Sequence, residues 1–352
     1  MMKTDMYGMN HVAKSSLEAY RIPGWRVRSP LQSGAQAHTF IVSRPETPAA
    51  FYVAKIFRDR GPEGYVIPLE EQRWRFLREV TTLQLLNQAR CPGVVSVIEF
   101  GLRTETTANP WYIMPLYRAG AMRTYDADAD RFIYREDYAG NLDRVLEIAE
   151  ALAETLSVMH EHPSVCAHRD LNMSNILFAE EGGEPVLADF GIAHLDGFLD
   201  RPSTEGPIFS GAWHWRPPEL NASEAYPYTA GDIYMLGGLV YEALSGGEVC
   251  PPEPLEPGSV AEKLAVHTTD ERVRPLAELL CRMLAADPER RPVAREVWGA
   301  CRKLRAQAPV RKHEQVSDAL RHLKQERPGT VGSPNDAPAA RIQQGIGTSA
   351  AA

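Results

Sequence analysis

The sequence predicts an α+β fold of two lobes, a β-rich first lobe carrying one helix and a helical second lobe, and three observations support that reading. From Trp25 to about Phe57 the apolar residues fall in short strand-like runs, Phe40-Ile41-Val42 and Phe51-Tyr52-Val53-Ala54, separated by a proline-containing turn. Residues 70–88 switch to a helical period, with Phe76, Val80, Leu83 and Leu86 on one face of a stretch otherwise rich in Arg, Glu and Gln. Beyond Leu116, residues Leu142, Val145, Ala149, Leu152, Leu156 and Met159 keep a helical spacing, and further helices are expected around 232–245, 273–285 and 292–305.

Between these blocks, strands are expected to resume at Val94 to Gly101 and at Trp111 to Leu116, which makes 22–116 a small, mostly β unit. The chain then crosses to the helical lobe near 117–120, and a junction between lobes is a favoured place for a ligand cleft. The domain reading is an N-terminal extension over 1–21, a first lobe over 22–116, a second lobe over 117–305 and a polar tail over 306–352. The tail holds a short amphipathic stretch with Val316, Leu320 and Leu323, and its Gly/Ser/Ala/Pro-rich end is expected to be disordered.

Composition narrows the classes. With 352 residues, 44% hydrophobic and 24% charged, the chain can bury a sizeable core. A formal net charge of −8 argues against nucleic-acid binding through a strongly basic surface. The five cysteines are scattered without a CxxC pair, which suggests neither a disulfide framework nor a zinc site and fits a reducing, cytoplasmic compartment. No signal-peptide core is visible near the start. The most apolar stretch, Ile233 to Leu244, is shorter than the roughly 20 residues a membrane span needs and reads as a buried helix.

The chemistry is concentrated in His168-Arg169-Asp170-Leu171-Asn172-Met173-Ser174-Asn175, followed nineteen residues after Asp170 by Asp189-Phe190-Gly191. Phosphoryl transfer needs an acceptor that aligns the incoming hydroxyl or takes its proton, and oxygen ligands for a divalent cation; Asp170 suits the first task, Asn175 and Asp189 the second. Either tripeptide alone is a common accident, and the pair at this spacing is not. Together they resemble the catalytic loop and metal-binding triplet of Hanks-type Ser/Thr protein kinases, with the compactness of the bacterial members.

The resemblance covers about residues 22–305 and implies a bilobal protein-kinase-like fold, ATP and Mg²⁺ (or Mn²⁺) as cofactors, a protein substrate and autophosphorylation. It also implies roles for single residues. Lys55, at the end of Val53-Ala54-Lys55, pairs with Glu79 to hold the α- and β-phosphates. Leu31 and Gly34 belong to the phosphate loop, of whose glycines only Gly34 survives, so weaker nucleotide affinity is expected. Met114 guards the back of the adenine pocket, Pro115 and Tyr117 address the adenine edge through their backbone, and Ala54 and Leu177 sandwich the ring. Gly211 to Glu219 matches the substrate-docking segment, Arg291 pairs with Glu219, and Asp232, opening the apolar helix, braces the catalytic loop.

Two departures stand out. Where Ser/Thr members have a lysine two residues after the catalytic aspartate and a threonine after the docking glycine, this chain has Asn172 and Ala212. A missing cation beside the transferring phosphoryl removes charge stabilisation and implies slower chemistry or altered acceptor choice. Arg169 beside Asp170 implies control by phosphorylation of the loop holding Ser203, Thr204 and Ser210. The alternatives are a nucleotide-binding pseudokinase acting as a scaffold, suggested by the poor glycine loop, and a small-molecule kinase, against which the docking segment weighs. Oligomeric state is not readable from the sequence.

Overall fold

The computed structural model describes residues 20–33, 37–60, 66–126, 131–164, 166–195, 215–221 and 228–307. Gly34, Ser203, Thr204, Ser210, Ala212 and the 316–323 stretch lie outside the described residues.

The first lobe is built on β1 (Arg26–Ser33), β2 (Ala37–Ser43), β3 (Phe51–Phe57), α1 (Leu69–Gln88), β4 (Glu99–Gly101) and β5 (Trp111–Pro115). The strands form one antiparallel sheet in the order β1-β2-β3-β5-β4. Successive side chains of a strand leave opposite faces, so β3 and β5 each feed two cores. Val53, Phe57, Tyr112 and Met114 share a cluster with Phe76, Val80, Leu83 and Leu86 of α1. Phe40, Val42, Ala54, Ile56, Trp111 and Ile113 form a second cluster on the other face with Ile22 and Trp25. Glu70 and Glu71 in the first turn of α1 complement the helix dipole.

The second lobe follows with β6 (Gly120–Ala121), β7 (Arg123–Asp126), β8 (Arg131–Tyr134), α2 (Leu142–Glu161), β9 (Cys166–Ala167), β10 (Ile176–Phe178), β11 (Pro185–Leu187), β12 (His194–Leu195), α3 (Tyr228–Leu244), α4 (Pro257–Leu264), α5 (Val273–Met283) and α6 (Ala294–Ala306). The Asn141 side chain caps α2 by accepting from Arg144 N at 3.2 Å. The order β11-β10-β6 makes a small sheet at the crossing between lobes, and β9 pairs with β12. The two loops that carry the sequence motifs leave these short strands: residues 168–175 run from β9 to β10, and Ala188 to Gly191 follow β11.

Four expectations are corrected. Residues 94–98 are not a strand: Val94 makes one parallel bridge to Leu187 and Ile98 N donates to Ile113 O, so the chain turns from one sheet toward the other before β4 begins. The second lobe is not purely helical: besides its short strands, residues 123–126 and 131–134 pair as antiparallel strands. Asp232 lies in the second turn of α3 rather than opening it, because the helix already runs from Tyr228 through Gly231. Ala54 is fully buried in the outer cluster, on the face of β3 opposite Lys55; Val53, two residues before Lys55, shares the lysine's face and the cluster that holds Met114. No helix among the described residues is long and apolar enough to cross a membrane.

Candidate active site

Four side chains from four segments meet at Lys55. Its Nζ donates to Glu79 Oε1 at 2.7 Å, to Glu79 Oε2 at 2.9 Å and to Asp189 Oδ1 at 3.0 Å. Tyr112 of β5 donates its hydroxyl to Glu79 Oε1 at 2.9 Å. Lys55, Glu79 and Tyr112 are buried and Asp189 is half-buried. Burial pulls the Lys55 ammonium down, but Asp189 and then Glu79 outweigh it and hold its pKa well above the ordinary value. Burial pushes Glu79 up, opposed by Lys55, whereas at Asp189 Lys55 overrides burial and keeps the carboxyl below the usual range. The cluster is therefore a buried cation between two carboxylates, Glu79 out of water and Asp189 partly exposed, where charge interactions are stronger than in bulk water.

The loop of residues 168–175 is held from behind. Both oxygens of the fully buried Asp232 accept backbone N–H groups, Oδ2 from His168 and Oδ1 from Arg169, each at 2.8 Å, and His160 Nε2 meets Oδ2 at 2.9 Å. These bonds support a left-handed backbone at Arg169, φ 70°, which is disfavoured for a residue with a Cβ. His168 Nδ1 accepts from Asp170 N and Nε2 faces Ala188 O at 3.0 Å, which fixes the neutral Nε2–H form. Phe190 packs edge-on against that ring with centroids 4.7 Å apart, and Asp189 is itself left-handed, φ 65°.

Asp170 is gripped by two amides. Asn172 Nδ2 donates to its Oδ1 at 3.1 Å and Asn175 Nδ2 to its Oδ2 at 3.0 Å, while both also reach the Asp170 carbonyl. Asn172 Oδ1 in turn accepts from Ser174 N at 2.9 Å. Where the sequence departs from the lysine pattern, the side chain is thus bound into the loop rather than idle. Ala188 N donates to Asn175 O at 2.9 Å, which ties the residue before Asp189 to this loop.

The remaining sequence-derived residues fall around this centre. Met114 is buried beneath the sheet, Pro115 ends β5, Tyr117 accepts from Gly120 N through its carbonyl, and Leu177 sits in the middle strand of the small sheet. Leu31 is half exposed on β1. Arg291 grips Glu219 with two N–H groups at 2.5 and 2.7 Å and also donates to Ala285 O and Ala230 O. Arg169 stacks over Tyr228, 4.4 Å from the ring centre.

Three features escaped sequence reasoning. Tyr112 and Val53 read as ordinary core residues, although their two-residue spacing from Met114 and Lys55 marks the face they occupy. Glu242, inside an apolar helix, is buried and accepts from Arg123, Tyr134 and Trp215 at 2.9, 3.1 and 2.9 Å, anchoring the paired strands β7 and β8 to α3. Gly238 makes room for that arrangement, since a Cβ there would stand 2.1 Å from the Trp215 ring.

Residues 66–300 match the model of the protein kinase domain. The chain is 30% identical over 286 residues to the serine/threonine-protein kinase PkaA of Streptomyces coelicolor, covering 77% of this chain and 45% of that protein. It is 33% identical over 177 residues to the DNA damage-responsive serine/threonine-protein kinase RqkA of Deinococcus radiodurans, covering 50% and 24%. A probable serine/threonine-protein kinase of Clostridium perfringens is 28% identical over 266 residues, covering 72% and 34%. The chain spans less than half the length of each of these relatives.

Proposed function

The chain belongs to the protein kinase family, and from that premise we propose that it is an active protein kinase, transferring the γ-phosphoryl group of ATP to serine or threonine hydroxyls of a protein. The observation that carries this reading is the buried contact of Lys55 with both Glu79 and Asp189. A scaffold has no need to keep a buried lysine between the buried Glu79 and the half-buried Asp189, because removing a partner leaves charge uncompensated.

Each residue's task follows from its chemistry. Lys55, held by Glu79, presents a cation to the α- and β-phosphates. Val53 and Leu177 flank the adenine ring, Met114 closes the pocket behind it, and the backbone of Pro115 and Tyr117 meets its edge. Asp170 aligns the acceptor hydroxyl and takes its proton. The divalent cation, Mg²⁺ with Mn²⁺ as substitute, neutralises charge on the phosphates when bound. The Asp189 carboxylate and the Asn175 amide oxygen would hold it; hard oxygen donors in this small number suit a cation whose other ligands would be phosphate and water. Asn175 fits that role because its Nδ2 is already committed to Asp170. The catalytic unit is taken as 22–305 with the nucleotide lobe up to 116, and the working compartment as the cytoplasm.

The test is transfer of labelled γ-phosphate from Mg·ATP to the protein itself and to a generic acceptor, with Asp170→Ala and Lys55→Ala as controls. Label on serine or threonine in the wild type alone is expected. The Asp170→Ala protein should lose about 10²–10⁴ in turnover while still binding nucleotide. Wild-type protein that binds Mg·ATP without transferring label would establish the scaffold reading instead.

A further inference from the structure

Tyr112 and Lys55 are direct partners across the β3–β5 ladder, so their side chains leave the same face of the sheet side by side. The phenol extends past the lysine to α1, where its hydroxyl donates to Glu79 Oε1, the same oxygen that takes a bond from Lys55. Glu79 is fully buried and Tyr112 is 2% exposed. A buried carboxylate can only accept, and its burial is tolerable only while enough donors face it.

Lys55 is not a dedicated donor. An ammonium has three N–H groups, and here they face Glu79 Oε1, Glu79 Oε2 and Asp189 Oδ1. A phosphate oxygen that takes one of them withdraws it from a carboxylate. Tyr112 has a single O–H, and it is given to Glu79. We propose that Tyr112 is a positioning residue for nucleotide binding and phosphoryl transfer, the standing donor that keeps Glu79, and with it α1, in place while Lys55 turns toward the phosphates. The inference rests on the kinase reading. It distinguishes Tyr112 from a core aromatic whose hydroxyl is merely satisfied: the ring lies beside Lys55 in the cluster that also holds Phe57 and Phe76, and phenylalanine would fill its space equally well.

The experiment is a double-mutant cycle on the full chain with wild type, Tyr112→Phe, Glu79→Gln and the double variant, read by equilibrium Mg·ATP affinity, by KM for ATP and for a generic acceptor, and by thermal midpoint. Tyr112→Phe is expected to weaken Mg·ATP binding by about tenfold, the value of one hydrogen bond to a charged group. Acceptor KM should stay within about twofold, since the lost bond lies on the nucleotide side. In the Glu79→Gln background the same change should cost less than about twofold, because the partner it acts through is already altered. Unchanged affinity in Tyr112→Phe, or an equal penalty in both backgrounds, overturns the proposal. Should Tyr112→Phe fail to fold, Tyr112→Met, an adaptable filler without a donor, carries the same comparison. Wild type that binds Mg·ATP but transfers no label condemns the kinase reading while the affinity cycle still decides on Tyr112; wild type that binds no Mg·ATP overturns both.

Discussion

The two walls of the cleft are built on opposite electrostatic plans. On the sheet and helix side, Lys55, Glu79 and Asp189 place full charges in contact, with residues far apart in sequence. On the loop side, Asp170 is held by the neutral amides of Asn172 and Asn175, all within six residues of chain. The first plan gives strong forces at a high desolvation cost, and it fails badly when one member is lost. The second is cheap to bury, but the two amides supply no positive charge where negative charge develops during transfer, a term that usually dominates catalysis. Among the described residues the charged contacts thus gather around Lys55, on the side proposed to hold nucleotide, while Asn172 and Asn175 meet Asp170 with neutral amides.

The sharpest way to break this contrast is through stability. Glu79→Ala leaves the buried Lys55 with only the half-buried Asp189 to balance it and is expected to cost ~3–5 kcal/mol in urea unfolding. Asn172→Ala removes neutral hydrogen bonds from a half-buried loop and is expected to cost ~1 kcal/mol. Equal costs would mean that the charged cluster is no more coupled than the loop.

A smaller effect tests the missing cation. Asn172→Lys restores a positive charge beside Asp170 and gives up the amide bonds to Asp170 and to Ser174 N. Charge stabilisation in the transition state should outweigh those bonds, so kcat is expected to rise by about three- to tenfold, at a stability cost of ~1 kcal/mol. A fall in kcat would show that the orientation of Asp170 by Asn172 matters more than the charge.

The same division explains what the sequence reveals. The loop residues lie within one short stretch, so their types and spacing expose the constellation directly. Lys55 and Glu79 are legible only because a strand and a helix of recognisable period carry them. Tyr112 is invisible to that reading, since a tyrosine in an apolar strand looks like core until the register against β3 is known. Ala54 is misplaced for the related reason that a one-residue shift along a strand changes its face. The hairpin of β7 and β8 escapes because its strands are only four residues each and depend on Arg123 and Glu242, which lie 119 positions apart. The helix α4, at eight residues, is too short to display a period.

The smallest expected effect is one of pH, and it too separates the walls. His168 opens the loop, fully buried, and burial lowers its pKa against the opposing pull of Asp232, the Ala188 carbonyl and Asp189, with Lys55 adding to the depression. The hydrogen bonds agree: Nδ1 accepts from Asp170 N, and a proton there would set two donors against each other. The unfolded chain binds this proton first as pH falls, near the ordinary histidine value of about 6.5. Stability from His168 is therefore complete above that pH and is lost as pH drops toward the depressed folded value, at no more than ~1.4 kcal/mol per pH unit. Urea midpoints measured between about pH 7 and 5 should fall more steeply in the wild type than in His168→Phe, which has nothing to protonate. Lys55, raised above its ordinary value, stays charged throughout this window, so acid should loosen the loop wall while the charged wall keeps its cation. Identical slopes in the two proteins would show that the loop tolerates a protonated imidazole, and that its neutral construction is not what fixes Asp170.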